Sequence, residues 1–221
     1  MDLVQRDAHR SRADEIYERL RDDILSSRIP PGSPLVEQRN ADLSGTSRTP
    51  AREALRRLER DGLVVVIPHK GVFVATLGLS ETLEIYFLRE VLEPIAARLA
   101  APRLPGELLT ELESECKTWK PLESATDEDR LSYAQTVAKL HRLLYSHCGN
   151  SQLASILTML HTKAHLGQPV NLTLYRRETA DQYLDLISVL KSKDPEAIEQ
   201  TMRNHIRWLR EQLLQSLAVP V

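Results

Sequence analysis

Between residues 13 and 27, Ile16, Leu20 and Ile24 recur every fourth position with Tyr17 and Leu25 beside them. Glu15, Arg19, Arg21 and Asp22 take the other faces. That period predicts an amphipathic helix with one apolar stripe. Pro30, Pro31 and Gly32 end it, since proline lacks an amide and glycine admits positive φ. A short helix is expected over 37–43, closing near Ser44 and Gly45. Thr49 reads as the N-cap and Pro50 as the first residue of a third helix running to Arg60, with Gly62 in the left-handed position that follows a helix end. The β-branched runs 64–67 and 71–75, joined by Pro68, His69 and Lys70, predict a small hairpin.

Past Leu77, Gly78 and Leu79 every apolar period is helical. The spacing predicts helices over 81–101, 105–119, 128–148, 151–167, 173–191 and 195–217. Pro94 is expected to bend the first of them, and Asp194 and Pro195 to open the last. The fold class is therefore mainly all-α: an N-terminal winged helix-turn-helix with a small β-hairpin wing, then a C-terminal antiparallel helical bundle. The domain boundary is placed between residues 1–78 and 79–221.

Composition narrows the function classes. The 221 residues are 42% hydrophobic and 27% charged, which excludes long disorder. Twenty-nine Lys and Arg against 31 Asp and Glu leave a net charge of -2, so a nucleic-acid partner must be sought in a local patch. Cys116 and Cys148 form no CxxC pair and suit a reducing compartment. No run approaches the roughly 18 apolar residues of a membrane helix, and the first residues lack the apolar core of a secretory signal. A cytoplasmic chain with no membrane partner is expected.

The local patch is on the third helix. Arg48, Arg52 and Arg56 stand four apart and share a face, opposite Ala51, Ala54, Leu55 and Leu58. Five Arg and two Glu between Arg48 and Arg60 give a local charge of +3. Guanidinium groups pair bidentately with phosphate and with the O6 and N7 edge of guanine. Ser47 and Thr49 add hydroxyls at a helix N-terminus, where amides and the dipole already favour phosphate. His69, Lys70 and Gly71 put a basic tip on the hairpin, suited to lie along a DNA backbone. The alternative is a solvated basic face.

The segments Pro31-Gly32-Ser33-Pro34-Leu35, Ser47-Arg48-Thr49-Pro50-Ala51-Arg52-Glu53-Ala54-Leu55-Arg56-Arg57-Leu58, Asp61-Gly62-Leu63 and Gly71-Val72-Phe73-Val74 resemble the GntR superfamily of bacterial transcription regulators. The helical part resembles the FadR-type FCD effector domain. The residues that carry this are Leu88-Arg89-Glu90-Val91-Leu92-Glu93, His141 with Gly149-Asn150, and the run from Asp194 through Met202 to His205. The resemblance implies a homodimer on double-stranded operator DNA, controlled by a small metabolite in the helical domain. It maps Arg48, Thr49 and Arg52 onto DNA-contacting positions and His69, Lys70 and Gly71 onto the wing. Asn40 and Ser44 stand where the family usually has Leu, and Leu43 where it is usually polar, which implies a slightly rotated second helix.

Many members of that subfamily hold a divalent metal with one Asp and three His. By resemblance His141 and His205 match two of these ligands, while Val137 and Tyr183 stand at the other two. His161 and His165, one helical turn apart, are the candidate replacements; otherwise they are ordinary helix histidines. Without a metal, His141, Tyr183 and His205 become hydrogen-bond donors to a carboxylate effector, with Arg89 as its counter-charge. The rival reading of Arg89 is an ion pair with Glu93 at i+4. No cofactor is otherwise implied. Two other function classes compete: a helical metal-dependent hydrolase built from His141, His161, His165 and His205, and a DNA-binding structural protein without an effector. No Gly-rich phosphate loop, GxSxG elbow or Cys/His nucleophile pair appears, so an enzyme is not expected.

Overall fold

Ala13, Ile16, Leu20 and Ile24 are all buried along one side of α1 (Arg12–Leu25), as their fourfold spacing requires. They belong to a computed structural model that describes residues 11–25, 28–45, 47–119, 124, 126–166 and 177–218. The chain divides into two compact units, Met1–Thr76 and Leu77–Val221. In the first, α1 and α2 (Glu37–Leu43) both pack on α3 (Arg48–Arg60), whose Ala51, Ala54, Leu55 and Leu58 are at most 3% exposed. Small alanines let the helices approach closely, and the leucines fill the space between them. Leu63, Val64, Val74 and Ala75 close this core from the sheet side. Tyr17 on α1 donates a hydrogen bond to Asp61 Oδ2 at 2.5 Å, just past the end of α3.

The sheet has three strands rather than the expected two. β1 (Pro34–Leu35) pairs antiparallel with β3 (Gly71–Val74), which pairs antiparallel with β2 (Val64–Ile67), giving the order β1-β3-β2. Leu35 lies opposite Val72, and Val64 opposite Val74. Gly32, at φ 79°, turns the chain so that its own amide reaches the Val74 carbonyl at 3.0 Å. Two residues, one of them proline, just after Pro30 and Pro31 carry no period, which is why β1 escapes a pattern search. The start of α3 also differs: Ser47 occupies the extended N-cap position and Arg48 is already helical. Pro50 therefore sits within the first turn, where a missing amide costs nothing because it would have no intrahelical acceptor. Gly62 follows the helix at φ 73°, as expected. Asn40 is buried; it donates to the Val36 carbonyl at 3.0 Å and accepts from Arg19 at 3.4 Å.

The second unit is helical: α4 (Leu79–Ala100), α5 (Gly106–Lys117), α6 (Asp127–His147), α7 (Ser151–Leu166), α8 (Arg177–Ser192) and α9 (Pro195–Ala218). α4 lies at its centre, against α6, α7 and α9. The start expected for α8 near Thr173 falls outside the described residues. α4 starts two residues before the expected position, and a short 3-10 turn, Ala101–Arg103, follows it. It runs through Pro94 without interruption. Proline leaves the carbonyl four residues earlier without its donor, and Arg203 of α9 supplies a replacement, 3.4 Å from the Glu90 carbonyl. Thr126 and Asp129 form a capping box on α6. Asp194 accepts from the amides of Glu196 and Ala197 at 3.1 and 3.2 Å, capping α9 as predicted. Cys116 and Cys148 are buried free thiols. Among the described residues no helix is long and apolar enough to cross a membrane.

Candidate nucleic-acid interface and interior polar site

Ser47, Arg48 and Thr49 are exposed at the N-terminus of α3, and Arg52 and Arg56 are exposed along the same helix. The buried stripe of Ala51, Ala54, Leu55 and Leu58 fixes which way this basic face points. Arg57 is different. Its guanidinium pairs with Asp14 and lies 4.2 Å over the Tyr17 ring, so it joins α3 to α1. Two arginines of the outward face are steered by α2. Arg48 donates to Gln38 at 2.5 Å. Arg52 grips the Glu37 carboxylate with Nε and Nη2, each at 3.1 Å, and that contact raises its affinity for its proton. Sequence periodicity did not show Glu37 or Gln38 as partners, because the contacts cross between helices.

The wing tip is formed by His69, Lys70 and Gly71, all exposed. His69 adopts φ 63° and Gly71 φ 110°, and the Lys70 amide closes the turn on the Ile67 carbonyl at 3.0 Å. A histidine in left-handed backbone costs energy that the strands on either side must offset. The result is a narrow, basic tip with backbone close to the surface.

In the second unit five helices direct polar side chains inward to one place. Arg89 and Glu93 come from α4, His141 and Tyr145 from α6, His161 from α7, Tyr183 from α8 and His205 from α9. Arg89, Glu93, His141, Tyr183 and His205 are each at most 3% exposed. Arg89 Nε donates to Glu93 Oε1 at 2.5 Å, so the i+4 ion pair is formed. The other carboxylate oxygen lies 3.1 Å from His141 Nδ1, an ionic distance, and the Tyr145 hydroxyl is 3.3 Å from the same nitrogen. The His141 ring is 4.5 Å from His161 and 6.4 Å from His205, and Tyr183 is 4.6 Å from His205, all between centroids. Tyr145 therefore joins the residues read from the sequence, and Glu93 and His161, read there as the ion-pair partner of Arg89 and as a candidate metal ligand, lie in the same place. Glu93 and Tyr145 sit four residues after Arg89 and His141, and that spacing was the available signal.

Burial alone would raise the Glu93 carboxyl, but Arg89 and then His141 override it and hold it at about 2. Burial lowers His205 to about 3, helped by His141, so this imidazole is neutral near pH 7. Burial also lifts the Tyr183 and Tyr145 phenols well above their ordinary value. Both nitrogens of His205, and Nε2 of His141, are buried with no hydrogen-bond partner among the described residues.

A divalent metal needs at least three well-placed ligands. Val137 is apolar and buried, and Tyr183 keeps its phenolic proton. Among the described residues no three His, Cys, Asp or Glu converge on a metal position. Of His165 only the backbone is described. The residues present do not fit the four-ligand set.

Two family descriptions match the chain. "Bacterial regulatory proteins, gntR family" covers residues 12–74, and the FCD domain covers residues 84–207. The chain is 27% identical over 210 residues to the HTH-type transcriptional repressor RspR of Escherichia coli, spanning 91% of this chain and 88% of that one. It is 29% identical over 192 residues to a probable D-xylose utilization operon transcriptional repressor of Paenarthrobacter nicotinovorans, spanning 83% and 80%. Among solved structures, E. coli McbR/YncC aligns with a TM-score of 0.78 at 23% identity, over 95% of this chain and 100% of that one. This last likeness is one of fold.

Proposed function

Because the chain belongs to the GntR family of bacterial regulatory proteins and carries an FCD domain, we propose that residues 1–78 read operator DNA while residues 79–221 bind the effector and join two copies into a homodimer. It is a transcriptional regulator and not an enzyme, which sets aside the helical hydrolase. The single observation that carries the DNA reading is the exposed row of Arg48, Arg52 and Arg56 opposite a fully buried stripe. Arg48 and Arg52 reach base edges, where a bidentate contact contributes about 1–3 kcal/mol of discrimination. Arg56, Ser47, Thr49 and the wing residues His69, Lys70 and Gly71 bind phosphates and set the register. The protein works in the cytoplasm, where its DNA is.

The effector is a small organic acid held without a metal. The unpartnered nitrogens of His141 and His205 support this, because a buried N–H without a partner is costly and a ligand carboxylate would accept from one N–H of each ring. Tyr183 is a third donor. Arg89 is engaged by Glu93, so the incoming carboxylate takes the place of Glu93 on the guanidinium, and Glu93 accepts a proton because two carboxylates cannot both stay charged there. A DNA-binding structural protein would have no use for this interior site. A gel shift on the DNA upstream of the protein's own coding sequence, with and without a panel of di- and tricarboxylates, tests both halves. A shifted band that one acid releases supports the reading. No band at any protein concentration contradicts the DNA half, and a band that no acid affects contradicts the effector half. One equivalent of zinc, nickel or manganese retained through purification and lost in His141→Ala would overturn the metal-free site.

A further inference from the structure

Tyr133, Val137, His141 and Tyr145 stand four apart on α6, so they share one face of that helix. The face changes character along its length. His141 and Tyr145 belong to the interior polar site, Val137 is buried and apolar, and Tyr133 packs on an aromatic cluster at the other end. Trp119, two residues past the end of α5, lies edge to face with Tyr133 and Tyr183, at 4.5 and 5.6 Å between ring centres. Tyr183 lies 4.6 Å from His205 in turn, so its ring joins the aromatic cluster to the polar one. The ring centres of Trp119 and His205 are thus within about 10 Å of each other.

Unpartnered buried nitrogens stand at both ends. His205 and Nε2 of His141 supply them at one, and the indole Nε1 of Trp119 at the other, among the described residues. An indole nitrogen donates only, so what it lacks is an acceptor. A buried indole N–H usually finds one, and leaving it unmet is costly. Charge decides which acceptor fits. Arg89 is the one Lys or Arg that is buried among the described residues, and its partner Glu93 places it at the His141 end. A carboxylate beside Trp119 would be a buried charge without a counter-ion. A neutral oxygen would not.

We propose that the effector is an elongated monocarboxylate whose far end carries a neutral hydroxyl or carbonyl oxygen that accepts from the Trp119 indole N–H. Its apolar middle lies along Val137 and the Tyr183 ring. Trp119 is then a specificity-determining residue. The proposal rests on the acid-binding reading above and adds the far end of the ligand.

Intrinsic fluorescence of the full-length protein tests it. Trp119 and Trp208 are the two tryptophans, so Trp208→Phe leaves Trp119 as the only indole. Butanoate, hexanoate and octanoate are titrated beside their terminal-hydroxyl counterparts and the matching diacids. At one chain length the hydroxyl should tighten binding by a factor of about three to ten, as one neutral hydrogen bond does, and should shift the Trp119 emission. The diacid of that length should bind no better than the plain acid. Trp119→Phe keeps a ring against Tyr133 and Tyr183; it should abolish the hydroxyl advantage and leave plain-acid affinity unchanged. The emission shift reads the same contact in a protein that keeps its indole, and so decides the matter if Trp119→Phe does not fold. Acids that bind without a hydroxyl advantage at any length, an advantage that survives Trp119→Phe, or a preferred diacid would each overturn the far end alone. Binding of none of these probes also overturns it, and the acid reading falls with it only if the di- and tricarboxylate panel leaves the operator complex intact.

Discussion

Arg52 and Arg89 are both held by a carboxylate, with opposite consequences. Arg52 is exposed, so the Glu37 contact steers its guanidinium in water-accessible space and is worth little in stability. Removing the acid also removes a repulsion toward phosphate. Glu37→Ala should therefore tighten binding to random-sequence DNA while lowering the ratio of operator to random-sequence affinity. Fluorescence anisotropy on the two DNAs at one salt concentration measures both. Arg89 is buried, and its pair with Glu93 neutralises an interior charge. His205, in the same place, is buried with both ring nitrogens unpartnered among the described residues, a stability cost that the proposed effector contact would explain. Unfolded histidine takes up a proton near pH 6.5, whereas the folded His205 resists it down to about 3. Stability is thus lost as pH falls through that window, by up to about 1.4 kcal/mol per pH unit. Glu93, at about 2 folded against 4.5 unfolded, adds a loss of the same sign below about pH 4.5. His205→Leu should leave the urea midpoint at pH 7 unchanged or higher and flatten its decline between pH 6.5 and 4.5. A drop of about 2 kcal/mol at pH 7 would mean that the imidazole is structural.

At the scale of elements, α3 carries the most. It forms the core of the first unit with one face and offers the basic row with the other. Leu58 is fully buried there, so Leu58→Ala should cost about 2–5 kcal/mol in urea unfolding, and DNA binding should fall only as far as the unfolded fraction rises. The fourfold spacing of Ile16, Leu20 and Ile24 and the Arg48, Arg52, Arg56 row were plain in the sequence because a helix repeats its burial every turn. β1 was not, since two residues have no period and their pairing with β3 spans the whole head. The same limit hid the junction of Glu93 with His141 and the nearness of His161. Three different helices bring them together, and local spacing cannot report on that. Arg89 with Glu93 was legible as one of two alternatives because both lie on α4.

For the whole molecule, the proposed dimer has two reading heads and an interior site in each copy, which implies coupling. A dimer places two α3 helices on half-sites of a pseudo-palindrome about one DNA turn apart, and effector binding changes operator affinity by the same factor as the operator changes effector affinity, typically about 1–3 kcal/mol. On the proposed exchange, in which Glu93 takes a proton as the acid enters, effector binding should be accompanied by proton uptake, read by calorimetry in buffers of different ionisation enthalpy. An observed heat independent of the buffer would contradict the exchange at Arg89. The most direct measurement of the central claim is operator affinity at fixed salt for Arg48→Ala and Arg52→Ala in the full-length protein. Each is expected to lose about 1–3 kcal/mol per contacted base and to relax specificity at one position in each half-site. Unchanged operator affinity in both variants would contradict the reading of α3 as the helix that reads DNA.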